Sequence, residues 1–294
     1  MAFSINRAFQ EGYTKVLGYD LYYKIFGPKE NRSTILCLHG GPGMTHDYIL
    51  PLSDLAVKRY RVVFYDQLGC GKSDLPRNSA LFTVERAVEE VETFRTTMRL
   101  GKVNLFGSSW GGLLAIAYAL RYQRNLSSLL LAGAYPNVPF ALHEMERLKA
   151  KLPPKVRSVM RKFEERGDYE NPKYIDAIKV FYQRHFCRLS RWPAEVNHSL
   201  DHLSKPVYFT MNGPNEFTII GNTRYWDVSD QLSSIHVRTL VTGGKFDEMT
   251  PNVAKDIHRR IKGSKLVIFG KSAHLPFWEE RQKYMETVSK FLGD

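Results

Sequence analysis

One pentapeptide, Gly107-Ser108-Ser109-Trp110-Gly111, limits what this chain can fold into more than any other stretch. It follows the apolar run Val103-Asn104-Leu105-Phe106 and precedes Gly112-Leu113-Leu114-Ala115-Ile116-Ala117-Tyr118, so it reads as a strand, a sharp turn and a helix with a serine at the apex. A serine held on such a turn has a strained backbone. Only residues with little or no side chain fit two positions before it and two after it, and Gly107 and Gly111 stand there. Five residues of this pattern also arise by chance, so the surroundings decide.

Those surroundings have a rhythm. Period-2 alternation over 13–26, broken at Gly18-Tyr19-Asp20, predicts two antiparallel strands and a tight turn. Apolar runs at 33–38, 61–66, 103–106, 128–132, 238–243 and 265–269 read as buried strands, and helical patterns at 47–58, 83–99, 251–261 and 279–292 lie between or after them. Strands alternating with helices predict an α/β class: a mostly parallel sheet with helices on both faces. Between about 135 and 230 the rhythm stops, and helices rich in Lys, Arg, Tyr, Phe and His replace it, including one over 174–186. We expect residues 1–134 and 231–294 to form the core and 135–230 a helical cap over the carboxyl ends of the strands, where open α/β sheets place ligands.

The 294 residues suffice for this plan, and 43% hydrophobic with 24% charged residues is ordinary for a globular protein. The net charge of +12 is spread, with a modest concentration between Lys149 and Arg191 that is interleaved with acids. It reads as a solvated basic surface, with a weak anionic partner as the alternative and no nucleic-acid partner expected. Three widely separated cysteines, Cys37, Cys70 and Cys187, indicate neither a disulfide framework nor a zinc site. The segment Met1-Ala2-Phe3-Ser4-Ile5-Asn6-Arg7 lacks a leader pattern, and nowhere do eighteen apolar residues run together, so a cytoplasmic chain with no membrane contact is expected.

A nucleophilic serine needs a base, an acid to orient that base, and donors for the oxyanion. Asp247 follows the strand at 238–243, His274 follows the strand at 265–269, and the order Ser109, Asp247, His274 is that of the α/β-hydrolase triad. The oxyanion donors expected are the backbone N–H groups of Trp110 and of Gly41, in the loop His39-Gly40-Gly41-Pro42-Gly43. Two other patterns carry nothing. Gly69-Cys70-Gly71-Lys72-Ser73 has Asp66 where a phosphate-binding loop needs its first glycine, and His143-Glu144-Met145-Glu146-Arg147 has Arg147 where a metalloprotease needs a second histidine. No metal site and no cofactor are expected.

Together, His39-Gly40-Gly41-Pro42-Gly43, Asp66-Gln67-Leu68-Gly69-Cys70-Gly71-Lys72-Ser73, Gly107-Ser108-Ser109-Trp110-Gly111, Phe246-Asp247-Glu248, Ala273-His274 and Met211-Asn212-Gly213-Pro214-Asn215-Glu216-Phe217 resemble the proline iminopeptidase family of α/β-hydrolases over nearly the whole chain. The likeness is strongest to the archaeal branch of tricorn-interacting aminopeptidases. One departure is Lys72, where Arg is more usual. The resemblance implies a serine aminopeptidase that removes the first residue, proline preferred, from short peptides with a free amino terminus. It also implies that Glu216 and Glu248 hold the substrate ammonium and raises a functional association with a larger, peptide-producing protease. Apolar and aromatic cap residues, with Trp110, are expected to line the side-chain pocket; Phe140, Tyr208, Phe217, Tyr225 and Trp226 are candidates. An esterase or amidase of small amino-acid derivatives shares every triad residue, and a non-catalytic binding protein of the same fold is the reading from another class.

Overall fold

The computed structural model describes residues 10–27, 33–58 and 60–293, so the amino-terminal segment read above for a leader lies outside the described residues. Eight strands, β1 (Gln10–Val16), β2 (Tyr19–Phe26), β3 (Ser33–Leu38), β4 (Tyr60–Tyr65), β5 (Val103–Ser108), β6 (Leu126–Ala132), β7 (Thr239–Gly244) and β8 (Lys265–Phe269), form one sheet. Their order is β1-β2-β4-β3-β5-β6-β7-β8; β1 and β2 are antiparallel, β2 meets β4 antiparallel, and the remaining six strands are parallel. The reversal of strand order falls between β3 and β5, so the loops after these two strands open side by side at the switch point.

The central strands β3, β5 and β7 are buried on both faces, which is why they read as continuous apolar runs rather than alternating ones. One face is covered by α1 (Val84–Thr97) and α2 (Trp110–Tyr122), which pack on each other and on the strands through Val88, Val91, Phe94, Leu113 and Ile116. Thr83 caps α1 by accepting the Arg86 N–H at 3.2 Å. Two expectations needed correcting. Residues His46–Lys58 form 3₁₀ turns rather than an α-helix, with Pro51 inside, where it has no N–H to give an α-helical ladder. The closing helix is broken at Glu280, whose carboxylate turns back to the Lys271 N–H (2.9 Å) and Ser272 hydroxyl (2.8 Å).

Between β6 and β7 the chain forms α3 (Val138–Lys149), α4 (Pro154–Glu164), α5 (Pro172–His185), α6 (Ala194–Asp201) and α7 (Lys205–Met211). After β7 come α8 (Pro251–Arg260), β8, α9 (Pro276–Glu279) and α10 (Arg281–Leu292). Backbone bonds tie the inserted helices to the loops that follow the strands. His185 O at the end of α5 accepts the Glu248 N–H (3.1 Å), Phe186 O accepts the His274 N–H (3.0 Å), and Gly43 O accepts the Ser204 N–H (2.8 Å). The last carbonyls of a helix lack intrahelical partners, so α5 spends two of its own on the loops that carry Glu248 and His274. Among the described residues no helix is long and apolar enough to cross a membrane.

Candidate active site

Ser109 links β5 to α2 with φ 56° and ψ −122°, a conformation that non-glycine residues rarely adopt. The turn is held by the Ser109 N–H donating to Ala132 O at 2.9 Å. A Cβ at position 107 would lie 2.1 Å from Gly111 O, and one at 111 would lie 2.2 Å from Leu38 O, so both flanking positions exclude any side chain. The turn seats Ser109 against the loop after β3: Gly40 donates its N–H to Tyr48 Oη at 2.7 Å, and a Cβ there would lie 3.0 Å from Ser109 Cβ.

Asp247 and His274 stand on the next two loops and meet. His274 Nδ1 lies 2.7 Å from Asp247 Oδ1, and both side chains are buried. A carboxylate only accepts, so Nδ1 carries the proton and Nε2 is left facing the cavity. Asp247 is fixed by the Met249 N–H at 2.8 Å. Glu279 brackets the histidine, accepting the N–H groups of Ala273 (2.9 Å) and Leu275 (3.2 Å). Gly133, with φ +54°, is opposite the ring: a Cβ there would sit 2.5 Å from His274 Cε1.

Ser109, His274, Gly41, Glu216 and Glu248 all line one cavity of about 90 Å³. Trp110 is the first residue of α2, so its N–H has no intrahelical acceptor. Its side chain corrects the expectation for the pocket. The indole turns away and donates to Gln67 Oε1 at 2.9 Å, packing beneath the site. Of the five aromatic candidates only Tyr208 lines the cavity; the walls come instead from Tyr48, Tyr135, Tyr182, Phe186, Met145 and Met249. Phe217 packs edge-on to Phe181, and Tyr225 is exposed on the surface.

Two carboxyl residues, Glu216 and Glu248, line this cavity together with His274. Glu248 Oε1 is 3.7 Å from His274 Nε2, while Glu248 Oε2 is buried with no hydrogen-bond partner among the described residues. Glu216 accepts from Tyr208 Oη at 3.3 Å. Burial pushes the Glu248 carboxyl up to about 8, the His274 charge opposing and the neighbouring Glu216 and Asp247 adding to the rise. Burial likewise raises Glu216, against the hydroxyls of Tyr182 and Tyr208. Burial alone would depress His274, but the Asp247 and Glu248 carboxylates outweigh it and hold the ring at about 9.

A second buried Asp–His pair lies outside the cavity. His46 Nδ1 is 2.8 Å from Asp66 Oδ1, and Asp66 also takes the N–H groups of His46 (2.9 Å) and Lys72 (3.0 Å). The neighbouring Gln67 gives its side-chain amide to His39 O (2.8 Å) and its N–H to His39 Nε2 (3.0 Å), so this loop buttresses both the glycine-rich loop and Trp110.

The family described as alpha/beta hydrolase fold matches residues 33–281. Proline iminopeptidase of Saccharolobus solfataricus is 45% identical over 99% of this chain and 94% of its own length, and that of Thermoplasma volcanium is 46% identical over 96% of each. The solved structure of proline iminopeptidase from Mycobacterium smegmatis superposes with a TM-score of 0.90 at 29% identity, covering 96% of this chain and 97% of its own. This chain belongs to the proline iminopeptidase family. VinJ superposes on this member of the family with a TM-score of 0.94 at 34% identity, over 97% of this chain and 99% of VinJ.

Sequence reasoning missed several supports of this family member's site. Tyr182 sits on α5 among core-facing neighbours with nothing to mark it, and Gly133 reads only as the end of a strand. Glu279 acts through backbone N–H groups, which leave no trace in side-chain pattern. Among the described residues no cluster of three or more His, Cys, Asp or Glu is placed to hold a metal ion.

Proposed function

We propose that this chain is a serine aminopeptidase that releases the first residue, proline preferred, from short peptides through an acyl-enzyme. The reading is carried by Glu248: a buried carboxylate with one oxygen unpartnered, in a small cavity beside Ser109 and His274. A buried carboxylate of this kind calls for a cation, and the ammonium of a free amino terminus supplies it. Glu216, lining the same cavity, gives the second acid. The names of the curated relatives agree with this substrate class.

In this proposal Ser109 Oγ attacks the carbonyl of the first residue while His274 Nε2 takes its proton, and Asp247 holds the ring in the tautomer that leaves Nε2 free. The N–H groups of Gly41 and Trp110 receive the oxyanion. His274 returns the proton to the departing amine, and water, activated by the same ring, hydrolyses the ester. Glu216 and Glu248 hold the ammonium throughout, which fixes the carbonyl one residue away over Ser109. Residues 135–230 act as the cap that encloses this reaction. The three cysteines, each buried and unpaired, suit a reducing compartment, and we place the activity in the cytoplasm, downstream of a protease that supplies short peptides.

Aminoacyl anilides, proline among them, compared with their N-acetylated forms test the reading. We expect the free amines to be cleaved and the acetylated forms to be refractory; equal cleavage would install the esterase or amidase instead. Glu216→Gln should lower kcat/KM for prolyl anilide roughly 30-fold or more, mainly through KM, while hardly affecting a small neutral ester. Failure of a fluorophosphonate to label Ser109 would leave the non-catalytic reading standing.

A further inference from the structure

A second void lies across the inserted helices from the first, lined by Tyr169, Tyr174, Ile178, Trp192 and Asp201 among others. It measures about 390 Å³, against about 90 Å³ for the cavity holding Ser109. Tyr182, Leu200, Leu203, Tyr208 and Glu216 line both. These side chains are therefore a partition: the reacting groups lie on one face and a mostly apolar groove on the other. Tyr182 from α5 is half-buried and Tyr208 from α7 is buried, with its hydroxyl donating to Glu216 at 3.3 Å.

The placement of Glu216 gives the partition a meaning, one that rests on the aminopeptidase reading. If the substrate ammonium sits on Glu216, it sits against the partition. A peptide longer by one residue at its amino end needs roughly 3.5 Å more. That distance carries it into the space occupied by the rings of Tyr182 and Tyr208 and the side chain of Leu203. Beyond them the groove has room, apolar walls for a side chain, and in Asp201 a carboxylate for a displaced ammonium. We infer that the partition of Tyr182, Leu203 and Tyr208 sets the length of the released unit at one residue, and that opening it turns the chain into a dipeptide-releasing enzyme. The chemistry is unchanged: Ser109 Oγ bonds to the carbonyl of the second residue, the amine beyond it leaves with the proton from His274, and water cleaves the dipeptidyl ester.

The test follows early products from glycyl-prolyl anilide by mass spectrometry in wild type, Leu203→Ala, Tyr208→Ala and Tyr208→Phe, with prolyl anilide run in parallel. Wild type should give no intact glycyl-proline. Leu203→Ala and Tyr208→Ala should raise the ratio of dipeptide to free proline by roughly tenfold or more. Tyr208→Phe, which keeps the ring and loses only the hydroxyl, should stay at the wild-type ratio while its KM for prolyl anilide rises. Leu203→Ala leaves both tyrosines in place and carries the test if Tyr208→Ala does not fold. The inference is overturned if the alanine variants cleave prolyl anilide without added dipeptide, if they lose prolyl-anilide cleavage altogether, or if Tyr208→Phe releases as much dipeptide as Tyr208→Ala. A wild type inert toward prolyl anilide instead removes the aminopeptidase reading first, and the two failures are told apart by that control.

Discussion

His46 and His274 are held in nearly the same way. Each is buried, each has Nδ1 within 2.8 Å of an aspartate oxygen, and each has a further carboxylate near Nε2: Asp47 at 3.8 Å from His46 and Glu248 at 3.7 Å from His274. The difference lies in what those further carboxylates face. Asp47 takes the Thr45 hydroxyl at 2.6 Å and reaches the exposed face beside His198, whereas Glu248 has a buried, unpartnered oxygen in a cavity shared with Ser109. An Asp–His pair is therefore not itself a site. The pair beside a hydrogen-bonded carboxylate ties down a loop, whereas the pair beside an unpartnered carboxylate shares its cavity with Ser109.

Exchanging the aspartates should give the largest contrast. Asp247→Asn is expected to lower kcat by roughly 10³- to 10⁴-fold with the fold retained, because the amide favours the wrong tautomer of His274. Asp66→Asn should instead cost stability, on the order of 3 kcal/mol, and keep activity per folded molecule within roughly tenfold. The Asp66 carboxyl is held down to about 2, burial being outweighed by His46, His39 and the Lys72 N–H. Its contribution is thus present above the unfolded value of 3.8 and is lost as pH falls towards 2, so an acid unfolding titration should show a limb that Asp66→Asn lacks. Equal inactivation of well-folded forms of both variants would break the comparison.

Each pair is also crowded by one left-handed glycine. A Cβ at Gly71 (φ +51°) would lie 2.2 Å from Asp66 Oδ2, just as one at Gly133 would lie 2.5 Å from His274 Cε1. Gly133→Ala should displace the His274 ring and lower kcat/KM by about 100-fold. Gly71→Ala should lower the unfolding free energy by roughly 1–3 kcal/mol, read by denaturant titration, and spare kcat.

The second carboxylates sharpen the contrast further. The Glu248 charge favours imidazolium, so Glu248→Gln should lower the His274 pKa by about one unit and move the acid limb of kcat/KM to lower pH; Asp47→Asn should leave that limb in place. The smallest effect is a proton count. With the Glu248 carboxyl at about 8, an arriving ammonium draws it to the carboxylate, and calorimetry of a prolyl peptide binding to Ser109→Ala near pH 7 should show proton release that Glu248→Gln abolishes.

Much of this molecule was legible in its sequence for identifiable reasons. Parallel strands buried on both faces leave unbroken apolar runs, and Gly107 and Gly111 are required by contacts of 2.1 and 2.2 Å, so the turn at Ser109 could be read before any coordinates. Asp247 and His274 were picked because they follow neighbouring strands in triad order after Ser109; His46 and Asp66 precede Ser109, so nothing in the sequence marked them as a second buried pair. Glu216 and Glu248 came from family resemblance, since an acid in a loop has no local signature of what it faces. The Trp110 side chain was misplaced because a helix N-terminus fixes its N–H but not its χ angles, and Gln67 decides those through an indole bond across 43 positions of chain.

The two carbonyls at the end of α5 bear on how such a chain can be rebuilt. His185 O and Phe186 O pair with the Glu248 and His274 N–H groups, far in sequence from the points where the helical segment leaves and rejoins the sheet. A chimera joined only at those two points, with foreign helices between them, would strand the amide donors of Glu248 and His274 beside the cavity. The seam a transplant must respect therefore runs through residues 185 and 186, where a two-residue splice matters more than the choice of joining points.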